Sequence, residues 1–225
     1  MTQGPEPIPV TVLVVAKAPV PGLAKTRLAL TVGERAAADI AAAALLDTLD
    51  AVAATPVAGR VVALTGDLGH ACRAREIRDR LTDFTVIEQR GDGFADRLAN
   101  AHADAAATTG GLPVLQIGMD TPQASPELLT DCARQLLTVP AVLGMARDGG
   151  WWLLGVADAA TAQCVRDVPM SRTDTGAVTL ATLKHTGVSV TLVEELHDVD
   201  TVDDIPLVRA ACRSSSRFAQ ATRGV

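Results

Sequence analysis

Short β-branched runs alternate with longer Ala- and Leu-rich stretches along most of this chain. The run at 10–16 is apolar and lies between Pro-rich and Pro/Gly-rich segments, the mark of a buried strand. Residues 34–54 place Ile40, Ala44 and Leu45 at helical spacing among alanines, which predicts a long helix lying on a sheet. The alternation continues with strands over 60–64, 84–88, 113–117 and 141–145. Helices are predicted over 70–81, 95–107 and 125–137, the last with Ser125 placed to cap its start. Beyond Gly150 the pattern weakens to a strand over 151–155, a helix over 175–185, a strand over 188–193 and a last helix in 202–208. Residues 1–9 read as a disordered Pro-rich tail and 214–225 as a frayed one. The pattern predicts one α/β domain over 10–213, built on a mostly parallel, doubly wound sheet.

Composition narrows the function. With 225 residues, 48% of them hydrophobic, the chain is long enough for one sizeable core. Its net charge of -6 gives no general attraction to nucleic acid or to an anionic membrane, so a bound phosphate must be held by local groups. No apolar run approaches the roughly 20 residues that span a bilayer, and the first nine residues lack a basic secretory start, so a cytoplasmic protein is expected. Cys72, Cys132, Cys164 and Cys212 form no C-x-x-C pair, which argues against a zinc knuckle or a dithiol centre. An apolar strand or helix face leaves room for a homodimer.

The segments that follow the strands carry the chemistry. In an open parallel sheet, ligands gather outside the carboxyl ends of the strands. Those positions hold Ala16 and Lys17, then Gly91 to Gly93, Gly118 to Asp120, Asp148 to Gly150, and Asp198 with Asp200. The loop from Lys17 to Leu28 is the strongest signal: Pro19 and Pro21 stiffen it, Gly22 permits a tight turn, and Lys25, Thr26 and Arg27 offer two cations and a hydroxyl to a phosphate chain. It is not a P-loop, because Ala24 stands where that pattern needs Gly, and no G-x-G-x-x-G follows the first strand. Asp120 can hold a hard cation between phosphate oxygens, and Asp198 or Asp200 can complete the site. Asp198 and Asp200 imitate a phosphatase nucleophile motif, but too little chain follows them to build such a domain. Gly149 and Gly150 open the backbone beside Trp151 and Trp152, whose indoles offer a flat apolar face in a chain without Tyr. Because adjacent strand residues face opposite ways, one indole is expected in the core and the other in an acceptor cleft. Ser171 and Arg172 suit an anionic acceptor.

These motifs, in this order, resemble the bacterial glycosyltransferase-A-fold family related to 2-phospholactate guanylyltransferase, over about residues 10–208. The resemblance rests on the loop 17–28, on Gly118, Met119, Asp120, Thr121 and Pro122, on 148–155, and on Asp198, Asp200, Asp203 and Asp204. It implies a nucleotide-diphospho-sugar-transferase-like fold. Two departures concern the acceptor side: the family more often has Tyr at Trp151 and Trp152, and Trp at Met170.

The expected activity is a transferase that uses Mg or Mn and an activated nucleotide. Nucleotidyl transfer from a triphosphate to a small phosphorylated or carboxylate acceptor is favoured over glycosyl transfer from a nucleotide sugar. A non-catalytic nucleotide-binding regulator is the rival from another class, and a redox enzyme is more distant. The expected catalytic residues are Lys25 and Asp120. Nucleotide contacts are expected from Ala16, Lys17, Pro21, Gly22, Lys25, Thr26, Arg27 and Gly93. Asp120 and Asp200 are the expected metal ligands, and Gly149, Gly150, Trp151, Ser171 and Arg172 the acceptor contacts.

Overall fold

Seven strands join one sheet in the computed structural model, which describes residues 6–225: β1 (Ile8–Lys17), β2 (Val57–Thr65), β3 (Thr85–Glu88), β4 (Val114–Gly118), β5 (Ala141–Ala146), β6 (Trp151–Val156) and β7 (Val190–Leu196). Their order across the sheet is β3-β2-β1-β4-β6-β5-β7. All neighbouring pairs are parallel except those made by β6, which runs antiparallel to both β4 and β5. The mostly parallel sheet is thus present, and its one reversal has a local cause. Only Arg147 to Gly150 join β5 to β6, far too few residues for the crossover that a parallel pair needs.

Alternation along β1 shows how the sheet divides the core. Val12 and Val14 face α2 (Glu34–Ala54), α3 (Ala74–Leu81) and α5 (Pro126–Leu136), where Leu45, Leu49, Ile77 and Leu129 are fully buried. Leu13 and Val15 face α4 (Phe94–Thr108), α6 (Thr175–His185) and a 3-10 segment, Ala159–Asp167. A third cluster joins α1 (Thr26–Val32) and the outer side of α2 to α7 (Asp204–Ala211) and α8 (Arg217–Ala221) through Leu28, Ile40, Val208 and Phe218.

Four expectations need correction. Of the tail expected over 1–9, residues 1–5 lie outside the described residues, while Ile8 and Pro9 belong to β1. The frayed tail expected over 214–225 is instead ordered, because Phe218 is fully buried and Asp47 of α2 accepts hydrogen bonds from the amides of Arg217 and Phe218 at 3.0 and 2.8 Å. Ser216 adds a cap at 3.0 Å to Ala219. Such a helix is too short to show periodicity in sequence. The helix expected from His70 begins only at Ala74, after a 3-10 turn at Leu68–His70 and a left-handed Arg73. Finally, the loop after β1 is shorter than expected, because Thr26 already begins α1.

Candidate functional site

The carboxyl ends of β1, β2, β4, β5 and β7 open into one cleft of about 820 Å³. Ala16, Lys17, Lys25, Thr26 and Arg27 line it on one side, and Gly150, Trp151, Ser171 and Arg172 line it on the other. The remaining expected contacts, Pro21, Gly22, Gly93 and Gly149, are not part of its lining.

Lys25 is held in an unusual place. It takes a left-handed conformation (φ 48°) as the N-cap of α1, which turns its side chain inward. Its Nζ donates to Asp120 Oδ2 at 2.7 Å and to Asp200 Oδ1 at 2.9 Å. Burial opposes the charge, yet attraction to Asp120 and Asp200 and the two hydrogen bonds outweigh it and hold the ammonium well above the usual lysine range. Arg27 Nη1 reaches Asp200 Oδ2 at 3.4 Å and is 67% exposed, so it stays available to a ligand. Lys17 instead spends its Nζ on the Leu23 carbonyl at 2.8 Å, bracing the loop.

Three carboxylates converge beside Lys25. One oxygen each from Asp120, Asp198 and Asp200 lies within 4.8 Å of the others. The strand ends explain this convergence. β4 delivers Asp120 just past Gly118, where a Cβ would stand 2.7 Å from Asp120 Oδ1, so the missing side chain leaves room for the carboxylate to fold back. β7 continues to Leu196 and brings Asp198 and Asp200 to the same edge. Asp204 Oδ2 accepts from the amides of Asp200 and Thr201 at 3.0 and 2.7 Å, fixing that turn. Burial, then repulsion from Asp120, Asp148 and Asp200, pushes the Asp198 carboxyl up to about 7, with Lys25 opposing. For Asp200, burial is overcome by Lys25 and then Arg27, which hold it below the usual carboxylate range. An all-oxygen set of this kind fits a hard divalent cation such as Mg or Mn.

On the side where acceptor contacts were expected, Trp152 is 2% exposed and its Nε1 donates to the Glu194 carbonyl at 2.8 Å, whereas Trp151 borders the cleft. Gly149 has φ +92°, and a Cβ there would meet the Thr173 carbonyl oxygen at 1.8 Å, so it anchors the β5–β6 turn under the 171–173 loop. Arg172 is already committed: its Nε and Nη2 both bond Asp174 at 2.9 Å. The sequence reading missed Gln89, Phe94, Arg97 and Gln116, all in the cleft wall, and left Asp198 as an alternative to Asp200 rather than its companion. A polar Gln116 within the apolar β4 run was the available signal, while Arg97 lies in an ordinary amphipathic helix and had none.

Comparison with known proteins bears on the family and the fold. Residues 48–172, more than half of the chain, match the family described as "Uncharacterized protein conserved in bacteria (DUF2064)". The chain belongs to this family. No curated protein matches the sequence of this DUF2064 member. A candidate nucleotide-diphospho-sugar transferase from Desulfovibrio desulfuricans G20 is 25% identical, with TM-score 0.83, over 96% of this chain and 94% of its own. A cytidylyltransferase from Leptospira borgpetersenii is 12% identical with TM-score 0.59, covering 96% of this chain and 93% of its own. The manganese complex of Rv0371C from Mycobacterium tuberculosis H37Rv is 18% identical with TM-score 0.54, covering 88% and 97%. The nucleotide-diphospho-sugar-transferase-like fold is therefore that of this protein. Among the described residues, no helix is long and apolar enough to cross a membrane.

Proposed function

We propose that the cleft is the active site of a cytoplasmic, divalent-metal-dependent transferase that moves a nucleotidyl group from a nucleoside triphosphate to a small acidic acceptor. The observation that carries this reading is the convergence of Asp120, Asp198 and Asp200 beside Lys25 and Arg27, at the open end of one cleft. Bound to these carboxylates, Mg or Mn supplies charge stabilisation for the phosphate oxygens and the departing diphosphate. Lys25 bridges Asp120 and Asp200 and offsets their repulsion, and its ammonium faces the same phosphates. Arg27 and the Thr26 hydroxyl extend that contact outward along the phosphate chain.

An ionised acceptor oxygen, entering from the Trp151 and Gly150 side, attacks the α-phosphorus. The bond from that phosphorus to the bridging oxygen breaks, and diphosphate leaves. An acceptor phosphate or carboxylate carries no proton that must be removed, so no general base is required. The likeness to a cytidylyltransferase supports nucleotidyl transfer, and the likeness to a manganese complex supports the metal. Glycosyl transfer from a nucleotide sugar uses the same fold and stands second, supported by the Desulfovibrio relative.

Two measurements test this reading. The first is a mass-spectrometric screen in which the protein with Mg receives each nucleoside triphosphate or nucleotide sugar together with phosphorylated and carboxylate acceptors. Release of diphosphate from a triphosphate is expected; release of a nucleoside diphosphate from a nucleotide sugar, with every triphosphate intact, overturns the nucleotidyl assignment. The second is a Mn titration by electron paramagnetic resonance, in which nucleotide raises Mn affinity in the parent and Asp120→Asn abolishes that gain. Binding without turnover of any pair points to the regulator instead.

A further inference from the structure

One wall of the cleft holds polar groups that the reading above does not use. Arg97 lines the cleft from the first turns of α4, and its Nε is buried without a hydrogen-bond partner. Among the described residues it has no carboxylate within 4.0 Å. The other arginines that are not exposed are all engaged: Arg73, Arg80 and Arg217 with carboxylates, and Arg60 and Arg209 with backbone carbonyls. A half-buried guanidinium without a counter-charge is costly unless a ligand supplies one.

A second observation points to the same wall. Gln116, in the middle of β4, is 2% exposed and lines the cleft; its Oε1 has no hydrogen-bond partner, although the buried His102 of α4 lies beside it. It stands between Leu13 and Leu154 in the strand register, so it interrupts an otherwise apolar surface facing α4. Leu98, Trp151 and Met170 share that face and the cleft. The phosphate loop lies elsewhere: Leu28 beside it is buried against α2 and α7. The cleft therefore has two cationic regions, one at Lys25 and Arg27 and one at Arg97.

We propose that Arg97 determines acceptor specificity by pairing with an oxyanion of the acceptor, a carboxylate or phosphate other than the oxygen that attacks. The proposal rests on the transferase reading and deepens it: the acceptor carries at least two oxygen-rich groups, separated by a short apolar segment that fits between Leu98, Trp151 and Met170. Arg97 takes the part expected of Arg172, whose guanidinium is already matched by Asp174. A planar guanidinium binds carboxylate and phosphate through paired N–H donors, so charge and shape both select the ligand.

The test uses the intact protein labelled at arginine nitrogens. The Arg97 Nε–H resonance, assigned with Arg97→Lys, is followed while acetate, methyl phosphate or acetamide is added. Saturable movement with acetate or methyl phosphate, and none with acetamide, is expected, and the stronger of the two anions identifies which oxyanion the site prefers. Arg97→Met should weaken the preferred probe roughly 10- to 100-fold, read by saturation transfer on the probe's methyl group. Because the parent resonance needs no substitution, misfolding of that variant leaves the test intact. The idea is overturned if the resonance ignores both anions, if acetamide moves it equally, or if Mg diphosphate displaces the probe, which assigns Arg97 to the nucleotide. The Mn–nucleotide coupling is a separate signal, so failure there with a normal Arg97 response removes the transferase reading and leaves an anion site.

Discussion

Replacing Lys25 with Met isolates the electrostatic logic of the site, since it removes the one ammonium set between Asp120 and Asp200 while keeping a side chain of similar length. Two charge-assisted bonds, at 2.7 and 2.9 Å, are lost, and three neighbouring carboxylates lose their shared counter-charge. Removing one partner of a buried ion pair costs about 3 to 5 kcal/mol. Water can reach Asp120 and Asp200, whose side chains are 30% and 36% exposed, so a cost reduced by screening to about 2 to 3 kcal/mol is expected in metal-free protein. For a chain of this size that lowers Tm by roughly 5 to 10 °C. Manganese should then stabilise Lys25→Met more than the parent, because the parent already carries a cation among the acids. Differential scanning calorimetry of both proteins, with chelator and with Mn, measures the two effects. Equal Tm values in chelator, or an equal gain on adding Mn, would refute the argument that Lys25 balances a metal-ready cluster.

Other expectations follow from single groups. Burial pushes the His102 imidazole down to about 4, with Gln116 opposing, whereas it titrates near 6.5 when unfolded. The unfolded chain therefore binds more protons between those values, and stability should fall by roughly 3 kcal/mol as pH drops through that window. Asp198, raised on folding, acts with the opposite sign, so urea unfolding of the parent is compared with His102→Gln; a difference that does not vary with pH would sink the assignment. Addition of Mg, a nucleoside triphosphate and an acid acceptor should change tryptophan fluorescence in the parent but not in Trp151→Phe, and an undiminished response in the variant moves the reporter to Trp152. Phe218→Ala should cost about 3 to 5 kcal/mol in urea unfolding if the last helix belongs to the core, and a loss near zero returns that segment to a frayed tail.

Local sequence carried the order of elements, because burial on a sheet imposes apolar runs of strand length and helices impose a 3.6-residue repeat. It also marked the loop after β1 and the acids after β4 and β7, since rigid turns and carboxylates at strand ends are local facts. It could not place β6 between β4 and β5, although the short connection after Ala146 was enough to require an antiparallel pair. Nor could it show that Lys25 belongs to Asp120 and Asp200, across 95 and 175 residues of chain. The same limit separates Arg97 from Arg172. Both are basic residues that line the cleft; Asp174, two residues on, neutralises one, whereas only the fold reveals that the Nε of the other is buried without a partner. Phe218 carries the same lesson into the core: a five-residue helix has no period to read, and it is the Asp47 carboxylate and the pocket beside α2 that hold it in place. Periodicity belongs to the chain, whereas charge compensation belongs to space, and only the folded molecule decides which charges remain for a ligand.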